Sequence, residues 1–200
     1  MRLGLVSCAV LLCALPAAGD NVLLTPPVIR AIASIDSLPS KAVLDDVFGP
    51  QAALGNLLVI AHDQTIDLGI ELRAIRVLPE YCPPAPQPCA AGVAVHDALA
   101  GLVVSLASAQ LTPQDLLRLR AAVEALGATR SALATDVDLL MTLLRGNGSR
   151  DVRATVVRAL GNLCSSAAID PLSGYYFVET SPQVKAAIMI ALQNLRKCAS

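Results

Sequence analysis

Two dipeptides of the same composition, His62-Asp63 and His96-Asp97, lie 34 residues apart in a chain of 200. Imidazole nitrogen and carboxylate oxygen together are a ligand set for divalent transition metals. The flanking segments, Val59 to Leu72 and Val93 to Leu106, align at the same shift. If one structural unit separates the pairs, all four side chains could meet at one height on neighbouring helices and share a metal. These are the only two histidines, however, and a catalytic centre needs further ligands and an open coordination position. The reading preferred is that both pairs are helix-start residues duplicated with their surroundings, with Asp at the positive end of a helix dipole. No metal or other cofactor is therefore expected.

Nucleophilic chemistry finds no better footing. Each serine falls in a cap, a turn or an apolar helical run, and no Gly-x-Ser-x-Gly elbow, phosphate-binding glycine loop or zinc-type cysteine spacing occurs. Of six cysteines, Cys8 and Cys13 sit in a segment that reads as an export signal: Arg2, an apolar run from Leu3 to Leu15, then Ala17-Ala18-Gly19 before a cleavage site at Asp20. The domain reading is thus a signal peptide over residues 1–19 and one α-helical repeat domain over 20–200, periplasmic or secreted. An alternative lies in Leu5-Val6-Ser7-Cys8, which resembles a lipoprotein cleavage box and would leave a lipid anchor on Cys8. Cleavage at Asp20 leaves Cys82, Cys89, Cys164 and Cys198, an even number that in an exported chain points to two disulfides with three connectivities open. No later stretch reaches the roughly eighteen uninterrupted apolar residues of a membrane span.

The elements that would carry these residues are helices. Hydrophobic side chains make up 54% of the chain, mostly Ala, Leu, Val and Ile, with no Trp. Such a composition favours close helix packing. Thr25-Pro26-Pro27, Ser40, Thr112-Pro113-Gln114-Asp115, Ser149 and Ser181-Pro182 are helix starts, and Gly49-Pro50 and Pro79 are stops. In Ile66 to Leu78, Ile70, Ala74, Val77 and Leu78 line one face and Glu71, Arg73 and Arg76 point elsewhere. Tyr81 to Cys89 holds four prolines and reads as a loop. Gly148 is expected to supply a left-handed turn before Ser149. Asn147-Gly148-Ser149 matches a glycosylation acceptor and is read as turn and cap. Asp170 to Thr180 is the least regular stretch. The formal charge of −1 exerts no global pull on nucleic acid, although residues 20–100 carry nine acids and four bases and residues 101–200 seven acids and ten bases.

One thirteen-residue pattern occurs twice. Asp151 to Leu163 and Gln183 to Leu195, 32 positions apart, share Val152/Val184, Ala154/Ala186, Ala159/Ala191, Leu160/Leu192, Asn162/Asn194 and Leu163/Leu195. Glu124-Ala-Leu-Gly127 lies 34 residues before Arg158-Ala-Leu-Gly161, and Arg73 to Leu78 is a weaker copy. A period in the low thirties with helical spacing inside it denotes stacked helical hairpins. With Asp151-Val-Arg-Ala and Arg158-Ala-Leu-Gly161, followed by Val184-Lys-Ala and Ala191-Leu192, the chain resembles the HEAT-like repeat family, in particular its short subgroup related to phycobilisome lyases. The resemblance is best over residues 112–195. It implies an all-α solenoid of antiparallel hairpins whose second helices line an inner, partner-binding face. It also implies an adaptor, scaffold or regulatory subunit. Departures weaken the enzymatic branches: paired cysteines give no support for bilin attachment, and the His-Glu pairs of the diiron branch do not occur.

On this register Cys164 and Cys198 each follow a second helix in adjacent repeats, at nearly equal height, so Cys164 is expected to pair with Cys198 and Cys82 with Cys89. Arg153, Arg158 and Lys185 recur on second helices and could present a basic ladder to an acidic partner, although pairing with Asp151 and Glu179 is the preferred reading. Tyr175, Tyr176 and Phe177 stand together as partner anchors or as a plug at the open end of the stack, the plug being preferred. Leu160, Leu163, Leu192 and Leu195 should be core. The functional expectation is a non-catalytic protein–protein interaction or scaffold module with a protein partner; the alternative is a metal-dependent or lyase-like enzyme on the same scaffold.

Overall fold

Prolines and short polar side chains set where the helices begin. The structure is a computed structural model that describes residues 24–34, 37–83, 87, 89, 92–107 and 111–198. The export signal with Cys8 and Cys13 lies outside the described residues. Thr25 precedes α1 (Pro26–Ile32) and Ser40 precedes α2 (Lys41–Phe48), which Gly49 ends at a positive φ of 84° that only glycine adopts freely. The helix α3 (Ala53–His62) follows, then α4 (Leu68–Val77), whose cap Asp67 accepts from the Ile70 N–H at 3.2 Å. After a 3-10 turn at Leu78–Tyr81 come α5 (Ala94–Ala107) and α6 (Pro113–Ala128). Thr112 and Asp115 cap α6 reciprocally, each side chain accepting from the other's backbone N–H. The chain closes with α7 (Ala134–Gly146), α8 (Arg150–Asn162), α9 (Ile169–Val178) and α10 (Pro182–Cys198).

These elements stack as four hairpins, α3/α4, α5/α6, α7/α8 and α9/α10, with α1 and α2 packed at the N-terminal end. The second helices α4, α6, α8 and α10 pack each on the next, and the α6–α8 and α8–α10 interfaces are the most extensive. The result is an all-α solenoid. Leu160, Leu163, Leu192 and Leu195 are buried between these layers. Small residues permit the close approach: a Cβ on Gly127 would lie 2.6 Å from the Ala159 Cα, and one on Gly161 would lie 2.8 Å from the Ala191 Cα. The glycine of the recurring Ala-Leu-Gly thus marks a helix crossing.

Three local expectations are corrected. Asp170 to Thr180, expected to be the least regular stretch, is helical up to Val178 as part of α9. Pro171 falls in its first turn, where no intrahelical N–H is required, and Leu172 is buried to anchor it. Gly148 is not among the residues of positive φ. The turn before α8 is held instead by the Asn147 side chain, which accepts from the Ser149 N–H at 2.9 Å. Glu71, expected on an outward face, is buried at 1% exposure because Arg118 of α6 donates to it at 2.7 Å.

No single helix among the described residues is long and apolar enough to cross a membrane. Helices α2 and α3 would pass only as a pair, and they bend by 96° at their junction.

Candidate interaction site

The two His-Asp pairs do not share a site. His62 is the last residue of α3, and its Nδ1–H donates to the Leu58 carbonyl at 2.8 Å. Asp63 ends that helix by accepting from the Thr65 N–H and hydroxyl at 2.9 and 2.6 Å. His96 lies instead in the first turn of α5 and is buried. Aligning the pairs at a shift of 34 therefore superposes a helix end on a helix start. Among the described residues no group of three or more His, Cys, Asp or Glu side chains could hold a metal.

His96 has other work. Its Nδ1 lies 3.0 Å from Asp97 and its Nε2 lies 3.0 and 3.1 Å from the two oxygens of Asp136 at the start of α7. The Ser131 hydroxyl donates to Asp136, and the Gly92 N–H donates to Asp97 at 3.1 Å. Burial alone pulls the imidazole pKa down, but hydrogen bonds and charge from Asp97 and Asp136 outweigh it and the pKa is raised. Asp97 is held below the usual carboxylate range by the same bond and by Gly92. Ser131 reaches the carboxylate rather than the imidazole, so the trio lacks the serine–histidine bond a nucleophile requires. Its role is to join α5 to the turn and helix that follow α6.

The other charged side chains also bridge elements. Arg76 donates to Glu124 at 3.0 Å between α4 and α6, and Arg73 donates to the Ile32 carbonyl at 2.6 Å. Arg153 donates twice to Glu179, at 2.8 and 3.0 Å, and also to the Gly148 carbonyl at 2.9 Å. The Arg153 bond outweighs burial and holds the Glu179 pKa down at about 2. Arg158 donates to Thr155 at 3.0 Å, and the Lys185 ammonium lies 5.2 Å from the centre of the Tyr176 ring. The three bases therefore do not form a row of equivalent outward cations. Arg118 and Asp136 were not legible as bridging residues, because their partners Glu71 and His96 lie on other hairpins.

The three aromatics divide by exposure. Tyr175 and Tyr176 pack partly buried against the core, and the Tyr175 hydroxyl donates to Glu179 at 3.2 Å. Phe177 is 81% exposed, with its ring edge-on to Tyr176 at 5.7 Å. Val178 follows at 69%, and Met189 and Ile190 on α10 are also exposed. A trough of about 280 Å³ lined by Arg145, Pro171, Gly174, Tyr175 and Val178 opens between α7 and α9.

The cysteines are joined as Cys82–Cys89 and Cys164–Cys198, with Cα atoms 5.2 and 5.4 Å apart. A groove of about 330 Å³ runs over the second disulfide, between Arg130 and Lys197.

The family model described as HEAT repeats matches residues 105–193. No curated protein and no solved structure matches the chain. The match covers α6 to α10 almost entirely, the part in which second helix packs on second helix most extensively. The chain is an all-α solenoid, and its residues 105–193 carry HEAT-like repeats.

Proposed function

We propose that this protein is an exported, non-catalytic protein–protein interaction module whose partner docks on its last hairpin. The observation that carries the reading is the position of Phe177, Val178 and Ile190. They are the three most exposed large apolar side chains among the described residues, and all belong to α9 and α10. Exposed aromatic and aliphatic side chains beside a trough are the usual anchors of an interface. HEAT repeats in general are protein-interaction scaffolds, which agrees with this use. The side chains with chemical potential, His96, Asp136, Arg153 and Glu179, hold helices together instead. Likeness to the phycobilisome-lyase-related subgroup belongs with this proposal as a likeness of repeat length and motif, and it carries no catalytic residue onto the chain.

Export rests on residues 1–19, and a mature N-terminus at Asp20 is the outcome it predicts; a diacylglyceryl group on Cys8 would replace it with the lipoprotein alternative. For the interface, the mature chain is immobilised and exposed to proteins of the envelope or culture fluid. Capture of one partner should be lost with Phe177→Asp plus Val178→Asp while thermal melting is unchanged. Equal capture by the double variant would refute the placement.

A further inference from the structure

Positions 130, 164 and 198 recur at intervals of 34 residues, and the stack sets them side by side at the C-terminal ends of α6, α8 and α10. The Arg130 Nη2 lies 3.4 Å from the Cys164 sulfur, which is joined in turn to Cys198. A cation, a half-buried cysteine and an exposed cysteine thus stand in order along the groove of about 330 Å³. Arg130, Asn162, Asn194 and Lys197 supply its polar lining, and among the described residues no carboxylate lines it. The other disulfide differs, since Cys89 is buried in the core at 1% exposure.

We propose that Cys198 is an S-thiolation site at which a small carboxylate-bearing thiol exchanges into the Cys164–Cys198 disulfide. The incoming thiolate forms a bond to the Cys198 sulfur. The Cys164–Cys198 bond breaks, and its electron pair leaves on Cys164 as a thiolate facing the Arg130 guanidinium. Nothing is oxidised or reduced overall, because one disulfide is exchanged for another. The proton given up by the incoming thiol goes to solvent, and the Cys164 thiolate regains one from solvent or attacks back to restore the original bond.

Two independent features select this direction. Access favours attack on Cys198, because its residue is exposed and Cys164 is half-buried. Charge favours departure of Cys164, because a thiolate beside a guanidinium is the better leaving group. The Arg130 guanidinium beside the Cys164 sulfur draws a thiol that carries negative charge. Helix α8 also packs on α10 through Gly161 on Ala191 and through buried Leu160 and Leu163, contacts that exchange at the disulfide does not remove.

The experiment uses the mature chain with both disulfides formed, incubated with reduced glutathione, quenched with N-ethylmaleimide, digested and mapped by mass spectrometry. The expected product carries glutathione on Cys198 and maleimide on Cys164. Arg130→Asn, chosen because Arg130 has a φ of 53° that asparagine tolerates, should slow the reaction by roughly three- to tenfold, the effect of moving a leaving thiolate's pKa by about one to two units. Arg130→Lys should restore most of the rate, and Arg150→Gln, on the exposed pair with Asp151, should leave it unchanged. Cysteamine, a cationic thiol, should react several-fold more slowly than glutathione once each is referred to its rate on a small peptide disulfide. Glutathione found chiefly on Cys164, equal reaction at Cys82 or Cys89, a rate indifferent to Arg130→Asn, or Cys164 and Cys198 isolated as free thiols would each overturn the proposal.

Discussion

Gly127 of α6 faces the backbone of Ala159 in α8 so closely that a Cβ on the glycine would lie 2.6 Å from the Ala159 Cα. The same approach recurs one hairpin later, where Gly161 faces Ala191 with a corresponding distance of 2.8 Å. Both obstructing atoms are backbone atoms and cannot swing aside.

Alanine normally improves a helix interior by about 1 kcal/mol relative to glycine. At these two crossings the added methyl must push helices apart, and overpacking costs about 1 to 3 kcal/mol. Gly127→Ala and Gly161→Ala should therefore each lower stability in urea melts. Gly101→Ala, in an exposed position of α5 with nothing within 4 Å of the added Cβ, should raise it. A gain in all three would mean that the crossings are looser than described.

His96 gives the fold a signed dependence on pH. Its raised pKa means that the folded state holds the proton more tightly than the unfolded chain. The stabilisation is complete below the unfolded pKa of about 6.5 and is lost as pH rises through the higher folded value. Melting temperature should accordingly fall as pH is raised through and above neutrality. His96→Gln should flatten that decline. A wild-type melting temperature that rises over this range would contradict the His96 contacts.

The Arg153–Glu179 pair sets an acid limb. Glu179 has its pKa lowered to about 2, so its contribution is present above the unfolded carboxylate value and disappears as pH falls towards 2. Its side chain is 2% exposed. Removing the guanidinium strands a buried charge, and Arg153→Ala should cost about 3 to 5 kcal/mol near neutral pH. Arg158→Ala, at an exposed position, should cost under about 0.5 kcal/mol. Equal effects of the two substitutions would restore the basic-ladder reading.

Loop length ranks the two disulfides. Closing 34 residues between Cys164 and Cys198 contributes about 4 kcal/mol by chain entropy, and closing 7 between Cys82 and Cys89 about 2.5 kcal/mol. Cys164→Ser plus Cys198→Ser should thus lower the denaturation midpoint more than Cys82→Ser plus Cys89→Ser. The reverse order, read in parallel urea titrations, would show that the proline-containing loop matters more to the core than its length suggests.

The aromatic triplet separates by stability. Tyr175→Ala removes partly buried area and a hydrogen bond to the Glu179 carboxylate, a loss of about 1 to 3 kcal/mol. Phe177→Ala should change melting by no more than about 0.5 kcal/mol. If Phe177→Ala destabilises as much as Tyr175→Ala, then Phe177 closes the stack and is not available to a partner.

Helix starts and stacking register were legible in the sequence because they rest on local chemistry. Thr112 with Asp115, Ser149, Pro182 and Gly49 act within a turn of themselves, and the leucines at 160, 163, 192 and 195 repeat with the helical period. The helix α9 escaped notice because Pro171 and Gly174 lower its local propensity, and its stability comes from packing Leu172 and Tyr175 against neighbouring elements. Glu179 was among the acids expected to pair with the basic residues, and Arg153 meets it across 26 residues. Only the tertiary structure decided where the other buried charges go: Glu71 meets Arg118 across 47 residues and His96 meets Asp136 across 40. None of these separations is a helical period or the repeat length. A buried charge takes whichever opposite group the crossing of two helices brings within hydrogen-bond reach, because leaving it unpaired costs more than any local preference can return.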